Sequence, residues 1–136
     1  MKTAIIGGAG RMGKWLIRHF KGLGFEVVIS DVRKEEAERT AKRYGVKLCE
    51  TNLEAVSESD VTVISVPIRK TLRVIDEVKG RLKENSVLIE ISSLKQDVIQ
   101  KLRELSSFGV KTLSIHPLFG PSVEKLRNKK IVLVPV

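Results

Sequence analysis

Short apolar runs alternate with stretches whose apolar residues recur at helical spacing, and the alternation starts at the third residue. Residues 3–6, 26–30, 61–66, 86–91, 111–115 and 131–134 are rich in Val and Ile at consecutive positions. Such runs predict strands covered on both faces, as in a parallel sheet. A further short strand is expected at 46–48. Met12, Trp15, Leu16, Phe20 and Leu23 predict an amphipathic helix over 11–22. Ala37, Ala41 and Tyr44 predict another over 34–44, with Gly45 as its C-terminal stop. Leu72, Ile75, Val78 and Leu82 mark a third helix, and Val98, Leu102 and Leu105 a fourth within 95–107. Strict alternation implies right-handed crossovers, hence an α/β chain with a doubly wound, mostly parallel sheet and helices on both faces. Residues 116–128 are irregular and rich in Pro, Gly and Lys.

Composition bounds this picture without changing it. The chain has 136 residues, 42% apolar and 30% charged, as expected for one globular domain. The single Cys49 excludes an internal disulfide and a Cys-cluster metal site, which fits a reducing cytoplasm. His19 and His116 are the two histidines, no metal-ligand spacing is present, and no metal is expected. No apolar run approaches the ~20 residues of a membrane span, and the N-terminus does not read as a signal peptide. A cytoplasmic protein with no membrane partner is expected. The net charge of +9 first suggests nucleic acid, but the basic residues are spread over predicted outer helix faces and aromatics make up 4%. Nucleotide phosphates are the better partner.

Gly8-Ala9-Gly10-Arg11-Met12-Gly13 fits G-x-G-x-x-G between the first strand and the first helix. The first glycine is expected to make the tight turn, the second to let backbone approach a pyrophosphate, and the third to let helix and strand pack closely. The helix N-terminus offers unpaired N–H groups to the phosphates. Asp31, at the end of the second strand, lies near the ~20 residues expected for a carboxylate that holds a ribose diol. This context makes the sheet Rossmann-type and the cofactor NAD or NADP. Asp31 would repel a 2′-phosphate and favours NAD, whereas Arg33 would stack on adenine or pair with that phosphate. Arg11 sits in the phosphate-binding turn.

Ligands of open α/β sheets bind beyond the carboxyl ends of the strands. Ser65, Val66 and Pro67 follow one such end and would line the cofactor. The next two ends lead into Glu90-Ile91-Ser92-Ser93-Leu94-Lys95 and His116-Pro117-Leu118-Phe119-Gly120-Pro121. His116 suits a general base, Ser93 would hydrogen-bond a substrate hydroxyl, and Lys95 would meet a carboxylate. These features point to hydride transfer on a small, hydroxylated, anionic substrate.

With these segments in view, the chain resembles the nucleotide-binding domain of the prephenate and arogenate dehydrogenases. The family pattern is close to Asp-x-Gly-Ser-x-Lys, here Glu90, Ser92, Ser93 and Lys95, and His-Pro-x-x-Gly-Pro, here His116, Pro117, Gly120 and Pro121. The resemblance implies oxidative decarboxylation of prephenate to 4-hydroxyphenylpyruvate in tyrosine biosynthesis. His116 would take the proton of the ring hydroxyl while hydride leaves for the nicotinamide, and Ser93 would hold the alignment. Glu90 and Ser92 depart from the usual Asp and Gly. The resemblance also implies a C-terminal helical domain that forms a homodimer and supplies substrate contacts. Such a domain has no counterpart in these residues, so little or no turnover is expected from them alone. Two alternatives are a β-hydroxyacid-dehydrogenase-like or pyrroline-carboxylate-reductase-like domain, and a non-catalytic NAD-sensing domain.

Overall fold

The computed structural model describes residues 1–93 and 95–136; Leu94 of the serine–lysine segment lies outside the described residues. Seven strands form one sheet: β1 (Lys2–Ile6), β2 (Glu26–Ser30), β3 (Lys47–Leu48), β4 (Val61–Ile64), β5 (Val87–Glu90), β6 (Lys111–Pro117) and β7 (Ile131–Val134). Their spatial order is β3-β2-β1-β4-β5-β6-β7, and every pair is parallel except β6–β7. The order reverses between β1 and β4, which opens a crevice at the carboxyl ends of those strands. Five α-helices cross over the sheet: α1 (Arg11–Gly22), α2 (Lys34–Tyr44), α3 (Asn52–Ser57), α4 (Thr71–Val78) and α5 (Gln96–Ser106).

The consecutive apolar positions do what a two-faced sheet requires. Ile5, on one face, packs with Trp15, Leu16 and Ile17 of α1 and with Val27, Ile29, Val61 and Val63. Ile6, on the other, packs with Val56, Val74, Ile75, Val78, Leu102 and Leu105 of α3, α4 and α5. Gly45 adopts φ +61° and ends α2, as its position predicts.

Three expectations are corrected. The helix α3 does not show in the apolar spacing; Thr51 caps it, its Oγ1 accepting from the Glu54 N–H at 3.1 Å. The third predicted helix stops at Val78 and tightens into a 3-10 turn at Lys79–Arg81. Finally, β6 runs two residues further than expected, because antiparallel β7 pairs His116 with Val132 and Pro117 with Ile131. His116 therefore stands on a strand rather than on the loop after it.

Candidate functional site

The glycine turn is built by exclusion. Gly7 has φ +82°, and a Cβ there would lie 2.2 Å from the Ser65 carbonyl oxygen. A Cβ on Gly13 would lie 2.3 Å from the Gly7 carbonyl oxygen, and one on Gly8 would lie 2.6 Å from the Ile29 side chain. The tight turn therefore falls at Gly7, one residue before the expected Gly8. Gly8 and Gly13 instead set how closely β1, β2 and α1 approach. Gly10 is the N-cap of α1, with no side-chain cap and no acidic residue in the first turn. That leaves the positive end of the helix dipole open to an anion.

A cleft of about 840 Å³ runs along the carboxyl ends of the strands. Asp31, Val32, Arg33, Asn52, Lys70 and Val74 line one end; Gly7, Gly10, Arg11, Met12, Ser65, Val66, Pro67 and Ile68 line its middle. The other end is lined by Ile91, Ser92, Ser93, His116, Pro117, Phe119, Gly120 and Pro121. Of the sequence-predicted positions, Gly8, Ala9 and Gly13 support the cleft from behind, while the remaining cofactor candidates, Ser93 and His116 line it.

Asp31 follows β2 directly, and its side chain is 3% exposed. Its carboxylate accepts the Ala9 N–H at 3.1 Å and the Arg33 N–H at 3.0 Å, and it pairs with the Arg33 guanidinium at 3.0 Å. Asp31 thus ties the glycine turn to β2. Arg33 remains 57% exposed, and the adjacent carboxylate raises its pKa. Asn52, which the sequence reading missed, accepts the Ser30 hydroxyl at 2.7 Å and donates to Glu77 at 3.1 Å. Its signal was its place directly after the Thr51 cap.

At the opposite end, Ser93 and His116 share the cleft without a hydrogen bond between them among the described residues, and His116 Nδ1 is buried with no partner. Lys95, expected to face the substrate, does not line the cleft. Its Nζ lies 2.5 Å from Glu90 Oε1 and 2.8 Å from the Ile115 carbonyl oxygen. Residues 118–124 are strapped onto α1: the Trp15 indole donates to the Val123 carbonyl at 2.6 Å, and Arg18 to that of Pro121 at 3.3 Å. Away from the cleft, Cys49, Glu54 and Glu58 bring ligand atoms within 4.8 Å of one another. Burial pushes the Cys49 thiol up to about 11, and Lys2 and Lys47 hold Glu58.

These observations fit a dinucleotide. Glycines clear the turn, an uncapped helix end faces it, and a nearly buried carboxylate closes the first strand pair. An unpartnered imidazole nitrogen stands at the far end of the same cleft. The fold and the site define a Rossmann-type, nucleotide-binding domain. Residues 16–136 match the family described as prephenate dehydrogenase, nucleotide-binding domain. The chain belongs to that family.

A probable arogenate/prephenate dehydrogenase of Methanocaldococcus jannaschii is 35% identical over 135 residues, covering 99% of this chain and 30% of that protein. A glyoxylate reductase of Thermococcus gammatolerans is 31% identical over 143 residues, covering 98% of this chain and 41% of that protein. Among solved structures, Synechocystis arogenate dehydrogenase superposes with a TM-score of 0.84 at 18% identity, over 100% of this chain and 50% of that one. That likeness is one of fold. The chain spans about a third of the length of the curated dehydrogenase it matches. Among the described residues, no helix is long and apolar enough to cross a membrane.

Proposed function

We propose that this chain is the cofactor-binding part of an NAD-dependent prephenate or arogenate dehydrogenase, a cytoplasmic enzyme of tyrosine biosynthesis. The observation that carries the reading is the single cleft that holds Asp31 at one end, the glycine turn in its middle and Ser93 and His116 at the other end. Gly10, Arg11 and Met12 at the start of α1 would hold the pyrophosphate, and Asp31 the adenosine ribose. Ser65, Val66 and Pro67 would line the middle of the cofactor. A bound nicotinamide supplies the hydride acceptor.

His116 would remove the proton from the ring C4 hydroxyl as hydride leaves that carbon. Ser93 would hydrogen-bond the hydroxyl and fix its direction. The ring carboxylate departs as carbon dioxide, its bonding electrons completing the aromatic ring of 4-hydroxyphenylpyruvate. Asp31 favours NAD, since its carboxylate repels a 2′-phosphate. Arg33 would accept that phosphate only by leaving its present pair with Asp31. The substrate carboxylates would be gripped by a further, helical domain, which would also form the homodimer.

Titration of the 136-residue chain with NAD and NADP is the direct test. Binding of NAD in preference to NADP supports the reading, and failure to bind either dinucleotide overturns it. The chain alone is expected to turn over little or no prephenate, so vigorous turnover by a monodisperse sample would refute the need for a further domain. In a form that carries the substrate-binding domain, His116→Asn should abolish turnover while cofactor affinity is kept. The glyoxylate reductase likeness favours, as a second reading, a dehydrogenase of 2-hydroxyacids rather than of the β-hydroxyacids named among the alternatives. Turnover of glyoxylate rather than prephenate by the same form would select it.

A further inference from the structure

Glu90 is fully buried at the last residue of β5, yet it is a carboxylate. Its Oε2 accepts the Ser92 N–H at 2.9 Å and the Ser92 hydroxyl at 2.7 Å. Its Oε1 takes the Lys95 ammonium at 2.5 Å and the hydroxyl of Ser114, its register partner on β6. One carboxylate therefore grips both segments that carry the catalytic candidates: Ser92 precedes Ser93, and Ser114 stands two residues before His116, on the same face of β6.

The lysine extends this grip. Pairing between β5 and β6 ends at Glu90 and Ser114, so Ile115 has no register partner on β5. Lys95 Nζ donates to the Ile115 carbonyl at 2.8 Å, at the peptide bond that leads into His116. The imidazole itself has no partner on Nδ1 to orient it, so its place depends on the strand that carries it. Buried ion pairs are often replaceable by apolar residues with no loss of stability. A buried pair at the point where the strands end and the cleft begins therefore calls for a role beyond stability.

We propose that Glu90 and Lys95 are positioning residues that set His116 against Ser93 through Ser92, Ser114 and the Ile115 carbonyl. This rests on the dehydrogenase reading for its chemical meaning, but its structural content is testable without turnover. The double variant Glu90→Gln/Lys95→Met removes both charges together, so no uncompensated charge stays buried and the fold should be retained. The chain has two histidines, so the imidazole carbon signals of His116 are resolved from those of His19 by NMR at fixed pH. In the variant, the His116 signals should move and broaden, with His19 and NAD affinity unchanged.

His116 signals that superimpose on those of the unaltered chain, in a folded variant, overturn the proposal. Should the double variant not fold, Ser114→Ala carries the same comparison with one hydrogen bond removed. In a form with the substrate-binding domain, the double variant should lose about 10²-fold in kcat with KM for NAD unchanged, as a misplaced reacting group does. An unchanged kcat overturns the proposal. Absence of turnover of both prephenate and arogenate by the unaltered form with the substrate-binding domain would instead refute the proposed function and leave the NMR comparison standing as the test.

Discussion

Asp31 and Glu90 are both buried carboxylates at the carboxyl ends of parallel strands, and both are paired with a nearby cation. Their partners differ. Arg33 is 57% exposed and lines the cleft, whereas Lys95 is 17% exposed and lies behind it. The first pair is open to exchange with a ligand, since water and a ribose can compete for the guanidinium's place. The second is closed on itself by Ser92 and Ser114. On the proposed reading, the same chemical group serves recognition at one end of the cleft and architecture at the other, and the exposure of its partner decides which.

The sharpest way to break the comparison is to remove each carboxylate. Glu90→Ala leaves the Lys95 ammonium without its counter-charge and should cost about 3–5 kcal/mol of stability, read by urea unfolding. Equal stability of Glu90→Ala and the unaltered chain would erase the distinction. Asp31→Ala should act on binding instead. Loss of charged hydrogen bonds worth ~1.5–3 kcal/mol would weaken NAD about 10- to 100-fold by calorimetric titration. Arg33→Ala should be milder still, within ~1 kcal/mol in stability because the pair is exposed. Its effect should appear as a lower affinity for NADP relative to NAD.

The smallest effect belongs to a third class of carboxylate, at the surface and held by neighbouring donors. Lys14 and Arg39 pull Glu36 down to about 2, Lys47 and Lys2 lower Glu58, Lys101 and Lys79 lower Asp76, and the Lys2 backbone N–H lowers Asp60. With folded pKa values below the ordinary 4.5 and 3.8, the native chain binds fewer protons in acid than the unfolded one. Their contribution is full above those values and is lost as pH falls through the folded pKa values, to about 2 for Glu36. Thermal melts across that window should show a gradual fall in Tm that added salt diminishes.

Much of this arrangement could be read before the fold was seen, because it follows from local rules. Ile5 and Ile6 are adjacent and both apolar, which is enough to announce a sheet with two covered faces. The glycine turn and Asp31 follow the two paired strands of one strand–helix–strand unit, so their meeting follows from topology. What stayed hidden depends on tertiary partners. The close approach of the Ser65 carbonyl, just after β4, leaves no room for a Cβ on Gly7, and no spacing within the turn records it. An apolar run such as Ile131–Val134 is compatible with either strand direction, so the antiparallel β7 was illegible. Lys95 looked free for a substrate because a sequence does not show that Glu90 and the Ile115 carbonyl converge on it. The α3 helix was legible in principle, from Thr51 and Glu54 at capping spacing, but six residues carry too little periodicity.

The strap between α1 and residues 118–124 has a practical consequence. Trp15 is the sole tryptophan of the chain, its indole N–H is bound to the Val123 carbonyl, and its ring meets Phe119 at 5.1 Å. Phe119 lines the His116 end of the cleft, while α1 begins at the glycine turn. All tryptophan emission from these 136 residues therefore originates where α1, which starts at the glycine turn, meets the segment that follows His116. Any movement of one against the other would be visible as a colour and intensity change from a single built-in chromophore, with no label attached.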